Sequence, residues 1–171
     1  MVPDLETERL ILRQRTLADI DDFVAMDADA EVRRFVFGPG FSLDDHRAKL
    51  PERIARDFGP GLGHWTMRLR DAPHRFLGMV LLIPLEEKGP GVEIGWRLSR
   101  AAWGHGFASE AARCVLDHGF STLDLPEIVA LIDAGNHRSI AVAEKLGLSR
   151  SGRRTAYGKD LNVYHRAREN P

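Results

Sequence analysis

Val92-Glu93-Ile94-Gly95-Trp96-Arg97-Leu98 and, after a short link, Trp103-Gly104-His105-Gly106-Phe107-Ala108-Ser109-Glu110-Ala111 form the stretch that decides how the rest of the chain is read. The first segment has the apolar content of a strand. The second runs through two glycines into Ala108, Ala111, Ala112, Val115, Leu116, Gly119 and Phe120, which recur at helical spacing. A strand therefore feeds a glycine turn, and the turn opens a helix. The first N–H groups of a helix have no intrahelical partner, and the dipole favours an anion in front of them. Gly104 and Gly106 let the backbone curl close to such a group, so the turn has the chemistry of a pyrophosphate site. The same Gly-x-Gly spacing occurs in dinucleotide-binding turns. About five residues separate strand from glycines here, whereas that fingerprint follows its strand directly, and its third small position is Ser109. A nicotinamide-binding domain and a plain helix entry with packing glycines are the competing readings of the turn.

Working outward, Leu10 to Leu12 is a first strand. Thr16 and Asp19 make a capping box ahead of Ile20, Phe23 and Val24. Ser42 caps a second helix with Asp44 and Asp45 in its first turn and an apolar stripe at Leu50, Ile54 and Phe58; Pro51 predicts a kink or a split in it. Trp65, Met67 and Leu69 alternate as a strand, Asp71 to His74 is a hairpin turn, and Phe76 to Ile83 is apolar enough for the middle of a sheet. Glu86 to Gly91 reads as another turn before the strand at Val92. Downstream, Ile128 to Ile132 is a buried strand. Ile140, Ala143 and Leu146 mark a last helix stopped by Gly147, and Ser149 to His165 supplies one or two final strands. The fold class is α+β, a mixed and mostly antiparallel sheet of six to seven strands flanked by about four helices, in one domain over residues 1–171.

With 43% hydrophobic and 29% charged residues and a formal net charge of -1, the composition is that of an ordinary soluble domain. No global charge bias points to nucleic acid or a membrane surface. The short pairs Arg33-Arg34 and Arg153-Arg154 read as solvated surface. The single cysteine, Cys114, excludes an internal disulfide and reads as a small packed hydrophobe. No signal peptide or membrane-length apolar run is visible, so a cytoplasmic protein is expected.

Several of these segments together resemble the GNAT superfamily of N-acetyltransferases, and within it the RimJ/RimL-like branch. The resemblance covers nearly the whole chain. It begins at Leu5-Glu6-Thr7-Glu8-Arg9-Leu10-Ile11-Leu12-Arg13 and continues through Glu93-Ile94-Gly95-Trp96 and the turn. It closes with Asn136-His137-Arg138-Ser139 and Glu144-Lys145-Leu146-Gly147-Leu148. The resemblance implies acetyl-CoA as cosubstrate, with no metal, and an amine acceptor, either a protein N-terminus or a small molecule. It implies pyrophosphate on Gly104, His105, Gly106, Phe107, Ala108 and Ser109. The pantetheine arm would run along Trp96, Arg97 and Leu98 and bond to Asn136. Trp103 stands where the family turn has Gln or Arg. A monomer or homodimer is expected.

In the reaction so implied, a neutral amine attacks the thioester carbonyl and the CoA thiolate leaves. At pH 7 only about one lysine-like amine in two thousand is neutral, against roughly a tenth to a sixth of peptide N-termini. Glu93 is the first candidate for the base that helps, and Asp133 the second. The N–H of Leu98 is the candidate oxyanion donor. Many members have a Tyr just before the Glu-Lys-Leu-Gly-like segment; here it is Ala143, so Ser139 is the candidate proton donor. An apolar wall is expected from Phe35, Phe37 and Phe41. The absent tyrosine also supports an alternative, a CoA-binding regulatory module without catalysis. Glu93 also reads as a surface strand carboxylate, and Asn136 and Ser139 as helix-capping residues.

Overall fold

The computed structural model describes residues 1–85 and 91–168. Its elements are β1 (Leu5–Glu6), β2 (Leu10–Gln14), α1 (Ile20–Ala28), α2 (Ala30–Arg33), α3 (Leu43–Ala55), β3 (Gly63–Leu69), β4 (Phe76–Pro84), β5 (Val92–Leu98), α4 (Phe107–Ser121), β6 (Glu127–Ile132), α5 (His137–Lys145), β7 (Ser149–Ala156) and β8 (Lys159–Ala167). The strands form one sheet in the order β1-β2-β3-β4-β5-β6-β8-β7. All neighbours are antiparallel except β5 and β6. The expected α+β class and the central meander therefore hold. The eighth strand and the fifth helix are short pieces, the two residues of β1 and the four of α2, too brief for a periodicity to register. The turn expected at Glu86 to Gly91 lies, for residues 86–90, outside the described residues.

Local chemistry explains the element ends. The Thr16 backbone N–H and hydroxyl both donate to Asp19 Oδ2, at 2.8 and 3.2 Å, at the entry to α1. Ser42 Oγ accepts from the Asp45 N–H at 3.2 Å and starts α3. Pro51 does not split α3, which runs as one helix to Ala55; its missing N–H removes one ladder bond. Phe58 lies beyond the helix, its ring 5.3 Å from that of His64. At the end of α5 the Gly147 N–H donates to Glu144 O and the Leu148 N–H to Ala143 O, both at 3.0 Å, with Gly147 at φ +80. That is the Schellman stop, and it is the physical content of Glu144 to Leu148.

Two cores sandwich the sheet. Helix α4 packs on one face against Leu12, Trp65, Val80, Leu82, Ile94 and Ile128, all buried. Helices α1 and α3 cover the other face, where Phe23, Leu50 and Met79 pack. Full burial of each such side chain contributes roughly 1.5–3 kcal/mol. Cys114 packs, partly buried, against the first core, and burial, then Asp117 and Glu110, push its thiol pKa up. No helix is long and apolar enough among the described residues to cross a membrane.

One departure from a regular sheet matters for function. β5 and β6 are paired only at Glu93 and Val129, while β6 keeps its full register with β8 on the other side. Past Glu93 the two parallel strands separate, and a cleft opens at the C-terminal end of β5.

Candidate active site

At the mouth of the cleft, Gly104 and Gly106 both adopt φ +80, and Gly106 is the N-cap of α4 with no side-chain cap. The first helical bond at this end is Glu110 N–H to Gly106 O, at 3.1 Å. The N–H groups of Phe107, Ala108 and Ser109 thus face outward without helical partners. A Cβ on Gly104 would meet nothing within 4 Å, so the space at this glycine is open.

The turn is held from behind. Glu110 accepts from Thr7 Oγ1 at 2.5 Å, from the Arg9 N–H at 3.0 Å and from Arg9 Nε at 2.7 Å. Arg9 Nη1 also donates to His105 O at 3.1 Å, and its guanidinium lies 4.7 Å over the Phe107 ring. His105 stacks on Phe107 at 5.5 Å. Burial would raise the Glu110 pKa, but the bonds from Thr7 and Arg9 outweigh it and hold the carboxyl below its usual range. Glu110 is thus an anchor with its oxygens occupied. The sequence marks Thr7 and Arg9 only as part of the opening segment of the resemblance; the fold brings them to the turn.

Inside the cleft, the Ser99 N–H donates to Leu77 O at 2.9 Å. In the alternation of an antiparallel ladder, the peptide groups of Leu98 and Trp96 then point the opposite way, toward β6. The Leu98 carbonyl is taken by Trp103 Nε1 at 2.9 Å, which gives Trp103 a function independent of phosphate. Arg138 stacks over Trp103 at 4.5 Å. The Leu98 N–H and the Trp96 peptide group are left facing the gap. Arg97 differs: its side chain emerges on the α1–α3 face, where Nε lies 3.1 Å from Asp27 Oδ1. Asn136 caps α5, its Oδ1 accepting the Ser139 N–H at 3.2 Å. Ala143 is fully buried.

A cavity of about 510 Å³ continues from the cleft across the α1–α3 face, and Glu93, Trp96, Asp133, Asn136, Ser139 and Tyr157 all line it. Glu93 is only 7% exposed. Its Oε2 accepts from the Tyr157 hydroxyl at 2.5 Å. Nothing in the sequence marks Tyr157 as a site residue. It sits with Gly158 in the two-residue loop between Ala156 and Lys159, at φ 53 and 70, the type I′ geometry of a tight hairpin. The tail hairpin therefore swings a tyrosine over the cavity 64 residues from Glu93 in sequence. Asp133 is differently committed, its Oδ1 accepting the Gly135 N–H at 2.9 Å. Phe35 and Phe37 form the expected wall, tied to the hairpin by Lys159 Nζ, which donates to their carbonyls at 3.0 and 3.3 Å. Phe41 stands behind Phe37, ring to ring at 4.3 Å, and does not line this cavity.

The far end of the cavity is basic. Asp27, fully buried, contacts His46 Nε2 at 2.9 Å as well as Arg97. Arg15 and Arg53 lie beyond, and His64, on β3, also lines the cavity. Burial, then Arg15, Arg97 and Arg56, push His64 down to about 3, so it is neutral at pH 7. No group of three His, Cys, Asp or Glu side chains among the described residues is placed to hold a metal ion.

Residues 9–149 match the family model described as an acetyltransferase (GNAT) domain. The chain is 31% identical to the Bacillus subtilis uncharacterized N-acetyltransferase YoaA over 171 residues, 96% of each protein. It is 42% identical to the B. subtilis uncharacterized protein YkkB over 92 residues, 53% of this chain and 54% of that one. The structure superposes on a crystal structure of an acetyltransferase from Agrobacterium tumefaciens with a TM-score of 0.82 and 29% identity, covering 98% of this chain and 96% of the other. With a splayed parallel strand pair, an open helix N-terminus at its mouth and a family match across most of its length, the chain belongs to the GNAT acetyltransferase family and is an acetyl-CoA-dependent enzyme.

Proposed function

We propose that residues 1–171 act as a single catalytic domain that transfers the acetyl group of acetyl-CoA to a primary amine by direct attack in a ternary complex. The observation that carries this reading is the placement of Glu93. It is a buried carboxylate where β5 and β6 begin to part, on the wall of a cavity that joins the cleft to the α1–α3 face.

In this reading the N–H groups at Gly104, His105, Gly106, Phe107, Ala108 and Ser109 bind the pyrophosphate, and Arg9 adds positive charge behind them. The peptide groups of Trp96 and Leu98 pair with the pantetheine amides, Arg97 serving that strand from the opposite face, and Asn136 closes the far side. The acceptor nitrogen attacks the thioester carbonyl; its lone pair forms the C–N bond and the C–S bond breaks. The Leu98 N–H meets the developing oxyanion. Glu93, directly or through one water, takes the proton released by the nitrogen. Tyr157 orients the Glu93 carboxylate through its hydroxyl. Ser139, whose hydroxyl makes no hydrogen bond among the described residues, supplies a proton to the departing thiolate. The motifs at Leu5 to Arg13 and Asn136 to Leu148 support placing the chain near the RimJ/RimL-like branch. The acceptor is then a protein N-terminal amine or a small-molecule amine, acetylated in the cytoplasm.

Thiol release from acetyl-CoA, measured over a panel of peptide N-termini and small amines with the product identified by mass, tests the reading. Turnover with at least one amine that is abolished by Glu93→Ala is expected. Tight CoA binding with no turnover for any amine would replace it with a non-catalytic CoA-binding module.

A further inference from the structure

The two ends of the 510 Å³ cavity carry opposite charge. Glu93 lies at one end. At the other, three guanidinium groups converge, those of Arg15, Arg53 and Arg97, and the carboxylate in contact with this group is Asp27. Asp27 is shared by Arg97 and His46. Asp19, the next acid, is held by Arg68 Nη2 at 3.0 Å and by Thr16. Neither Arg15 nor Arg53 has an ion pair among the described residues.

Arg15 is the informative member. It is 8% exposed, its Nε has no hydrogen-bond partner, and its one side-chain bond is from Nη2 to the neutral carbonyl of Arg53 at 2.8 Å. Its pKa is pushed down to about 10, first by burial and then by Arg97 and Arg53. A buried cation facing like charge is costly unless an anion compensates it. Arg53, exposed at the rim, points the same chemistry into the cavity, with Nη1 3.4 Å from His46 Nδ1. Between the two charged ends the floor is aliphatic, from Met79, Leu81 and Ile83.

The register sets the length scale. Arg15 N–H donates to His64 O, His64 pairs with Leu81, and Leu81 pairs with Gly95 on the Glu93 strand. Those are three interstrand steps of about 4.8 Å each, part of which the arginine side chains span. We propose that the acceptor is an amine bearing an oxyanion, a carboxylate or a phosphate, on the order of 10 Å from its nitrogen, and that Arg15 and Arg53 hold that oxyanion while the nitrogen lies at Glu93. This rests on the N-acetyltransferase reading and names its substrate class. Polyamines, which would bring a second cation to the arginine end, are poor acceptors.

The test uses thiol release from acetyl-CoA with a ladder of ω-amino carboxylates, the ω-aminoalkyl phosphates, the equal-length alkylamines and the α,ω-diamines. The best anionic acceptor should exceed its alkylamine in kcat/KM by about 10- to 100-fold, the range of hydrogen bonds to charged groups. Carboxylate and phosphate arms identify which oxyanion is read. Diamines should fall below the alkylamine. Arg53→Gln should collapse the anionic-to-neutral ratio toward one, through KM more than kcat; Arg15→Gln is the second variant, checked for folding by its melting curve. Equal rates for anionic and neutral amines, a preference for diamines, or a ratio unmoved by Arg53→Gln overturns the inference while leaving acetyl transfer intact. Absence of thiol release with every amine is a different result and overturns the N-acetyltransferase reading on which the inference stands.

Discussion

The turn at Trp103 to Ser109 and the cavity on the α1–α3 face lie on either side of the same strand, β5, and are built in opposite ways. The turn uses backbone: two glycines at φ +80, a run of outward N–H groups, and Arg9 and Glu110 as a brace. The cavity uses side chains, brought from β2, α3, β5 and the tail hairpin. Backbone recognition suits a cosubstrate that never changes, because any sequence that keeps the geometry keeps the site. Side-chain recognition suits an acceptor that differs from one relative to the next, because one substitution at Arg15 or Arg53 changes the charge of the pocket without disturbing the turn. On the proposed reading, cofactor identity rests on local conformation and acceptor identity on long-range contacts.

The sharpest way to break this division is Glu93→Gln. Removing the proposed base while keeping the shape should lower kcat/KM by about 100- to 1000-fold and leave the acetyl-CoA dissociation constant unchanged by calorimetry. A parallel loss of acetyl-CoA affinity would mean that cavity and turn are one site. Next in size, Gly106→Asp forces a side chain into the left-handed region and sets a carboxylate before the helix N-terminus. It should weaken CoA binding about 100-fold, with the acceptor KM at saturating acetyl-CoA little altered. Unchanged CoA affinity would place the pyrophosphate elsewhere. The smallest effect is on stability. His64 is held neutral in the folded chain down to about pH 3, against an ordinary value of 6.5. The unfolded chain binds the proton first as pH falls, so the stability tied to this group is present above pH 6.5 and lost on the way to pH 3. Between pH 7 and pH 5 the loss should be about 2 kcal/mol, read from denaturant midpoints. His64→Gln should remove this component; an identical pH dependence in wild type and variant would show that the arginine-lined end does not exclude a proton from His64.

Much of the fold is legible in the chain itself. The caps at Thr16 and Ser42, the apolar run of β4 and the stop at Gly147 each depend on residues within a few positions of one another. Pro51 misleads because its cost is local, whereas the packing of Leu50, on the same helix, in the core with Phe23 and Met79 is tertiary. Tyr157 could not be read as a site residue from its surroundings: a Tyr-Gly pair announces a tight hairpin, and nothing in the tail says that the hairpin ends over Glu93. Arg15 and Arg53 are unremarkable in sequence for the same reason, since a lone arginine after a strand and another in a helix look like surface.

What the sequence determined by itself is the class of the fold and the glycine turn that opens α4, with acetyl-CoA following from the resemblance to the GNAT family. Those depend on backbone conformation, and a few adjacent residues, above all Gly104 and Gly106, set backbone conformation. Only the tertiary structure decided which side chains share the cavity, that Tyr157 bonds to Glu93, and that the opposite end carries Arg15 and Arg53 without ion pairs among the described residues. Charge balance and hydrogen bonding between distant segments depend on distances in space, and those distances exist only once the sheet has brought β2, β5 and the tail together.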